Sequence, residues 1–288
     1  MFGRRPSAAP YRIGICIVLT MGLGLAAPSA KANSPSIVVT YEFEYNGIVS
    51  LDVGRATVQY SAAGPGYQLA LSFKPSASAR SFSVGPAVAR SAGAISPHGL
   101  SPRSVAVDYS MRSLAETRSF TISGDRLQTV RITKKKTGGL FKEGSSVTYD
   151  PRVLPAYAPL SDAEQKNVLD PLSAMLVPIA GKNALDHANC QRRLRIYDGR
   201  RRFDLQMSYE GVENADNGEA LVCSTTYVPI AGHSVDRDGF NDAIRDYHVA
   251  VSLVAAPGSN FLIPSRIVVT DTGGVTIAEA KAIAISGR

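Results

Sequence analysis

Ile37-Val38-Val39-Thr40-Tyr41-Glu42-Phe43-Glu44-Tyr45, followed by Asn46-Gly47, is the stretch that decides the fold class. From Val39 onward Val39, Tyr41, Phe43 and Tyr45 alternate with Thr40, Glu42 and Glu44. Successive side chains of a strand point to opposite faces, so this pattern gives a strand with one apolar and one wet face. Asn46-Gly47 supplies the two residue types that tolerate the positive φ of a tight hairpin turn. Residues 48–53 are then expected to return along the first strand, and residues 55–60 to form another. The same alternation recurs at 67–73, 105–111, 118–122 and 127–133, separated by turn residues such as Gly64-Pro65-Gly66 and Ser123-Gly124-Asp125. It resumes at 190–196, 202–209, 220–228, 247–254, 265–270 and 275–286, with Asp198-Gly199 and Asp271-Thr272-Gly273-Gly274 as turns. Short strands at this spacing predict an all-β protein with a curved antiparallel sheet and one or two short helices.

The middle of the chain breaks the pattern. Residues 151–159 carry Pro151, Pro155 and Pro159 and exclude regular structure. Ser161-Asp162-Ala163-Glu164 is a capping box. Asp170-Pro171 then reads as an N-cap acid with proline at the first helical position, and Leu172, Met175, Leu176 and Ile179 follow at helical spacing. A short amphipathic helix is therefore expected over 170–179, stopping near Pro178, with the sheet wrapped partly around it. Residues 76–96 are rich in Ala, Ser and Gly and leave a loosely packed helix and a mobile segment as open readings.

The N-terminus reads as a targeting segment. Arg4, Arg5 and Arg12 precede an apolar stretch at 13–27, and Ala30-Lys31-Ala32 places small residues at the cleavage-determining positions. The apolar run is about 15 residues, short of the ~20 that span a bilayer as a helix. The expectation is a secretory signal over 1–32, an exported single β-rich domain over 33–288, and no transmembrane segment after cleavage. Residues 1–32 hold four basic residues and no acid, so cleavage lowers the formal net charge from +7 to +3. That mild charge gives no case for a nucleic-acid partner. Lys134-Lys135-Lys136, next to Thr137-Gly138-Gly139, reads as a solvated hairpin turn.

Two cysteines, Cys190 and Cys223, remain beyond the signal, and in an exported chain they have a single intramolecular pairing. A structural disulfide tying neighbouring strands is expected, because no Cys-x-x-Cys arrangement suits redox chemistry. Asp198-Gly199-Arg200-Arg201-Arg202 reads first as a hairpin turn. On a strand Arg200 and Arg202 share a face, where two guanidinium forks make a candidate anion-binding site; Arg192, Arg193 and Arg195 lie just before it. Gly232-His233-Ser234-Val235-Asp236 has the residue types of a hydrolase without a nucleophile elbow. Asp236-Arg237-Asp238-Gly239 imitates a calcium loop but puts Arg245 where a bidentate acid belongs. His98, His187, His233 and His248 show no metal-ligand spacing. No cofactor, metal site or catalytic residue follows from these residues.

Asp170-Pro171-Leu172-Ser173-Ala174, Cys190, the run from Tyr197-Asp198-Gly199-Arg200 to Phe203-Asp204-Leu205, Cys223, and Tyr227-Val228-Pro229-Ile230-Ala231-Gly232-His233 together resemble alphaproteobacterial members of the domain of unknown function 3108 family. Ile263-Pro264-Ser265-Arg266 followed by Gly273-Gly274 extends the likeness, which runs from about Tyr41 to Ile285. The resemblance implies an exported, β-rich envelope protein of the Gram-negative periplasm with no catalytic residues to carry over. More loosely it implies a half-barrel or β-spiral related to periplasmic lipoprotein carriers. The expected function is non-catalytic: binding a lipid, an acyl chain or a hydrophobic peptide, or serving as an envelope scaffold. The other readings are an envelope hydrolase and a pure interaction module with an envelope-protein partner.

Overall fold

The alternation at the start of the chain becomes β1 (Ser36–Asn46), with Ile37, Val39 and Tyr41 buried on one face. It opens a computed structural model that describes residues 36–96, 99–111, 114–136, 147–150, 152, 158–216, 218–233, 248–271 and 273–286. The targeting segment at 1–32, Ser234, Asp236, the calcium-like loop, His98 and most of the proline-rich 151–159 lie outside the described residues. Seven more strands follow: β2 (Ser50–Ala63), β3 (Gly66–Pro75), β4 (Val84–Ser96), β5 (Gly99–Met111), β6 (Leu114–Ser123), β7 (Arg126–Lys136) and β8 (Val147–Tyr149). A two-residue strand, β9 (Val177–Pro178), precedes β10 (Arg193–Tyr197), β11 (Arg202–Ala215) and β12 (Gly218–Ala231). β13 (His248–Ala255), β14 (Phe261–Thr270) and β15 (Val275–Ser286) complete the described strands.

All fifteen described strands belong to one antiparallel sheet, in the order β10 to β15, then β1 to β8, with β9 attached to β14. From β1, in the middle of the sheet, the chain runs out to β8, crosses to β10 at the far edge and returns to close against β1. One apolar cluster contains Leu100 of β5, the buried residues of β1, β2 and β3, Ile263 of β14 and Ala220 of β12. Side chains from strands so far apart in the order meet only if the sheet curls, with its apolar face inward.

Several expectations need correction. The first hairpin turns through Gly47, Ile48 and Val49, because Asn46 pairs with Ser50. Residues 48–53 and 55–60 are not separate strands: β2 runs through both by a bulge at Gly54. Gly54 has a φ of 138°, and a side chain there would strike the Lys74 carbonyl and Pro75. Residues 76–96 form a short helix α1 (Ala77–Ser81), capped by the Ser76 hydroxyl, and then β4. Lys134, Lys135 and Lys136 extend β7 instead of forming a turn.

The helix expected over 170–179 is the largest departure. Only Ser173–Met175 forms a single 3-10 turn, and Leu176 is already extended. Pro178 has no N–H and its ring opposes a helical bond to residue 174, while Val177, preceding a proline, is held extended. Val177–Pro178 therefore pairs with Phe261 and Leu262 of β14. The segment 167–178 is a strap that crosses the concave face from the sheet's open edge to the opposite wall. The Ser161–Glu164 capping box does form: Ser161 N–H donates to Glu164 Oε2 at 2.6 Å and Glu164 N–H to Ser161 Oγ at 3.4 Å. It closes turns, not a helix.

The strap also bridges the sheet's free edges. Leu169 N–H donates to Arg195 O (2.7 Å), Tyr197 N–H donates to Leu169 O (2.8 Å), and Asn167 N–H donates to Asp125 O (3.0 Å). Phe120 of β6 packs edge-on against Tyr197 of β10, ring centroids 5.1 Å apart. The curl is thus sealed by a strap and side chains across edges that share no ladder.

Candidate functional site

The strap is held at its centre by a buried polar cluster. Asp170 and Ser173 are fully buried on it, and Ser91 of β4 and Tyr67 of β3 are buried on the sheet. One carboxylate oxygen of Asp170 accepts the backbone N–H groups of Leu172 (3.0 Å) and Ser173 (3.1 Å). The other accepts Ser91 Oγ–H at 2.7 Å and Ser173 Oγ–H at 2.5 Å. Tyr67 Oη lies 2.8 Å from Ser173 Oγ and 3.3 Å from Ser91 Oγ, and the two serine oxygens are 3.0 Å apart. Three hydroxyl hydrogens serve five such contacts, so a proton on Asp170 would add a fourth donor. Burial agrees: it pushes the Asp170 carboxyl above its ordinary 3.8, against the hydrogen bonds that favour the charged form. Burial also pushes the Tyr67 hydroxyl up to about 12.

Leu172 and Leu176 of the strap fill the concavity against the apolar residues of β1 to β3. The space left between Met175, Leu176 and that wall is about 20 Å³. That is room for about one water molecule, far below the ~300–1,000 Å³ of small-molecule sites.

The larger space lies at the strap's mouth. A cavity of about 570 Å³ opens there, walled by Leu100, Pro102, Ile122, Val168, Leu176 and Pro178. Its other wall is the lead-in to β10, with Arg192, Arg193 and Arg195. Arg193 forms an ion pair with Asp204 Oδ2. Arg195 Nη2 donates to Ala163 O at 2.7 Å. Arg192 makes no side-chain hydrogen bond or ion pair among the described residues, and its Nε is buried without a partner. Burial pushes its pKa down, with no acid to counter that. Asp125 is the acid that also lines the cavity. A second hollow, about 620 Å³, crosses the opposite face of the sheet and is lined by Gln59, Gln68, Arg90, Ser104 and Thr121.

Arg200 and Arg202 do not share a face. Arg200 lies in the turn, where its Nη2 donates to Tyr149 Oη at 2.7 Å. Arg202 is 2% exposed and donates to Asp204 Oδ1 at 2.5 Å and to Glu164 O at 3.2 Å. The turn is set by Asp198, whose Oδ1 accepts the N–H groups of Arg200 (2.9 Å) and Arg201 (2.6 Å), with Gly199 at a φ of 88°. Asp198 also faces Arg118 of β6 at 3.5 Å. Arg118 binds the buried Glu116 at 2.5 Å. Burial raises the Glu116 carboxyl, but Arg118, the Tyr109 hydroxyl and Lys134 outweigh it and leave its pKa below the usual range. The arginine-rich hairpin thus docks on the far edge of the sheet.

Cys190 and Cys223 are fully buried and stand at disulfide distance, their Cα atoms 5.5 Å apart. Cys190 ends the 3-10 turn His187–Asn189, three residues before β10, and does not start a strand. Cys223 lies on β12, so the pair spans β11 instead of joining adjacent strands. His233 is buried beside Tyr227, and burial pushes its pKa down.

No curated protein matches the chain. Among solved structures it is similar to a domain described as an outer-membrane lipoprotein-sorting protein from Vibrio parahaemolyticus. That similarity has 8% identity and a TM-score of 0.28 over 89% of this chain and 87% of the other, too slight to carry an inference. A family model described as "Protein of unknown function (DUF3108)" matches residues 40–239, from β1 through β12 and beyond. The strap, the cysteine pair and the arginine-lined mouth all fall inside that match, and the chain belongs to this family.

Proposed function

We propose that the protein is a non-catalytic binding protein of the bacterial envelope, working in the periplasm, that holds an apolar ligand at the mouth of its strap. The observation that carries this reading is the contrast between a gap of about 20 Å³ beside Met175 and Leu176 of the strap and a mouth of about 570 Å³ with apolar and basic groups in its lining. A carrier that buries its ligand deep under the sheet has no room here unless the strap leaves. A ligand at the mouth needs no such movement. Leu100, Ile122 and Val168, core residues whose edges reach the mouth, supply with Pro178 the apolar part of its lining. Native mass spectrometry of protein purified without detergent tests the proposal. The expected result is a fraction of protein carrying a co-purified lipid or hydrophobic peptide. Bare protein that also takes up no added lipid would overturn it.

The second reading, an envelope scaffold or interaction module, draws on the same filled core. A sheet packed around its own strap is a rigid platform, and the hollow on its opposite face offers amide, hydroxyl and guanidinium groups to a polar partner. It is the reading that bare protein in the mass spectrum would favour.

A further inference from the structure

We infer that the mouth of the strap selects amphiphiles with an anionic head group, carboxylate or phosphate, on a single apolar chain, and that Arg192 reads the head group. This deepens the proposed binding role and rests on it. Arg192, Arg193 and Arg195 line the cavity, and Arg202, outside its lining, is buried on the neighbouring strand. Among them stands one acid, Asp204, and it serves two, Arg193 through one oxygen and Arg202 through the other. Arg195 is turned to a backbone carbonyl. Arg195 also keeps its Nε without a partner, but Arg192 is the one of the four with no side-chain hydrogen bond or ion pair among the described residues, and its Nε is already out of water. A half-buried guanidinium without an acceptor is costly, and an anionic ligand oxygen would supply one.

The wall opposite fixes the rest of the ligand. Leu100, Ile122, Val168 and Leu176 are packed in the core and turn only their edges to the cavity, where with the half-buried Pro178 they make an apolar strip beside Ser96, Ser101 and Asn167 that a methylene chain can follow. A free anion would leave that surface in water, and a neutral lipid would leave Arg192 unpaired. Asp125, on the β6–β7 turn, repels a second negative charge and favours one anionic group held on the arginine side. Arg192 is also fixed in place. It lies two residues after Cys190, its carbonyl accepts Met207 N–H at 2.9 Å, and its own N–H donates to Cys190 O at 2.9 Å. The head-group site is therefore built on backbone anchored to β11, and the Arg192 side chain is what remains to be ordered on binding.

Calorimetric titration with four probes tests this: laurate, 1-lauroylglycerol, acetate and inorganic phosphate. Laurate is expected to bind the unmodified protein about ten- to a hundredfold tighter than 1-lauroylglycerol, the span of one charge-assisted hydrogen-bonded pair. Arg192→Gln should erase that preference, so that laurate and 1-lauroylglycerol bind the variant equally. Arg192→Lys should keep most of it. Acetate and phosphate should neither bind measurably nor displace laurate. Equal binding of laurate and 1-lauroylglycerol to the unmodified protein would overturn the head-group assignment while leaving an apolar-ligand site standing. Phosphate binding as tight as laurate would identify a free-anion site and overturn the amphiphile. No binding of either lauroyl compound would overturn both this inference and the function on which it rests.

Discussion

Asp170→Ala is expected to lower the unfolding free energy by about 3–5 kcal/mol, from leaving two buried backbone N–H groups unsatisfied at about 1–3 kcal/mol each and losing the bonds to two serine hydroxyls. The change strands the N–H groups of Leu172 and Ser173 and leaves the hydroxyls of Ser91 and Ser173 only each other and Tyr67. Asp170→Asn should cost about 1 kcal/mol, because its carbonyl still accepts the backbone N–H groups and its amide donates to the serine oxygens. The two variants also separate in their response to pH. In the folded protein Asp170 titrates above its ordinary 3.8, so between that pH and the raised value the folded state binds more protons than the unfolded. Stability must therefore fall as pH rises through that window. Asp170→Asn removes this contribution. Urea unfolding of the parent and both variants across pH 4 to 8 measures both effects. A neutral Asp170→Ala would mean that the cluster does not hold the strap.

Cys190→Ser or Cys223→Ser should cost about 3–4 kcal/mol by chain entropy alone, for a separation of 33 residues. Both sites are fully buried, so the desolvation of a serine hydroxyl adds to the loss. The site explains why the effect should be large. Cys190 ends the chain that carries Asn189, whose side chain accepts the N–H groups of Ala180 (2.8 Å) and Gly181 (3.0 Å) and donates to the carbonyls of Asn183 and Ala184. The pair thus pins this whole connection between strap and β10 to β12. Thermal unfolding with and without reductant gives the measurement. Lipid binding by variant protein that remains folded should survive, because neither sulfur lines the mouth. Loss of binding at full stability would return the cysteines to a chemical role.

The sheet was largely legible in the sequence because alternation and turn residues are local signals. Val39, Tyr41 and Phe43 against Thr40 and Glu42 declare a strand without knowing its neighbours. β4 escaped because Ala, Ser and Gly offer little contrast between faces, although Ser91 points inward to Asp170. The strap was misread because Leu172, Met175, Leu176 and Ile179 have helical spacing, whereas one 3-10 turn followed by an extended Val177–Pro178 also faces the core with Leu172 and Leu176. Asp170-Pro171 marked the turn correctly, but only the fold shows Ser91 and Tyr67 waiting for it. The arginines were hardest. Their partners, Asp204, Glu164 and Tyr149, come from different strands and turns, and sequence alone cannot tell a committed guanidinium from an open one. Arg200 and Arg202 therefore drew notice as an anion site, and Arg192 drew it only as their neighbour.

The central claim is that the strap is a permanent part of the core, and native-state hydrogen exchange tests it most directly. The N–H groups of Leu172, Ser173, Ala174, Met175 and Leu176 all donate to acceptors within the strap, under the curled sheet. They are expected to exchange as slowly as the core amides of β1 and β2, and to stay protected when laurate is added. Exchange as fast as that of the exposed Ile48–Val49 turn, or deprotection by laurate, would show a strap that leaves the concavity and would contradict the account.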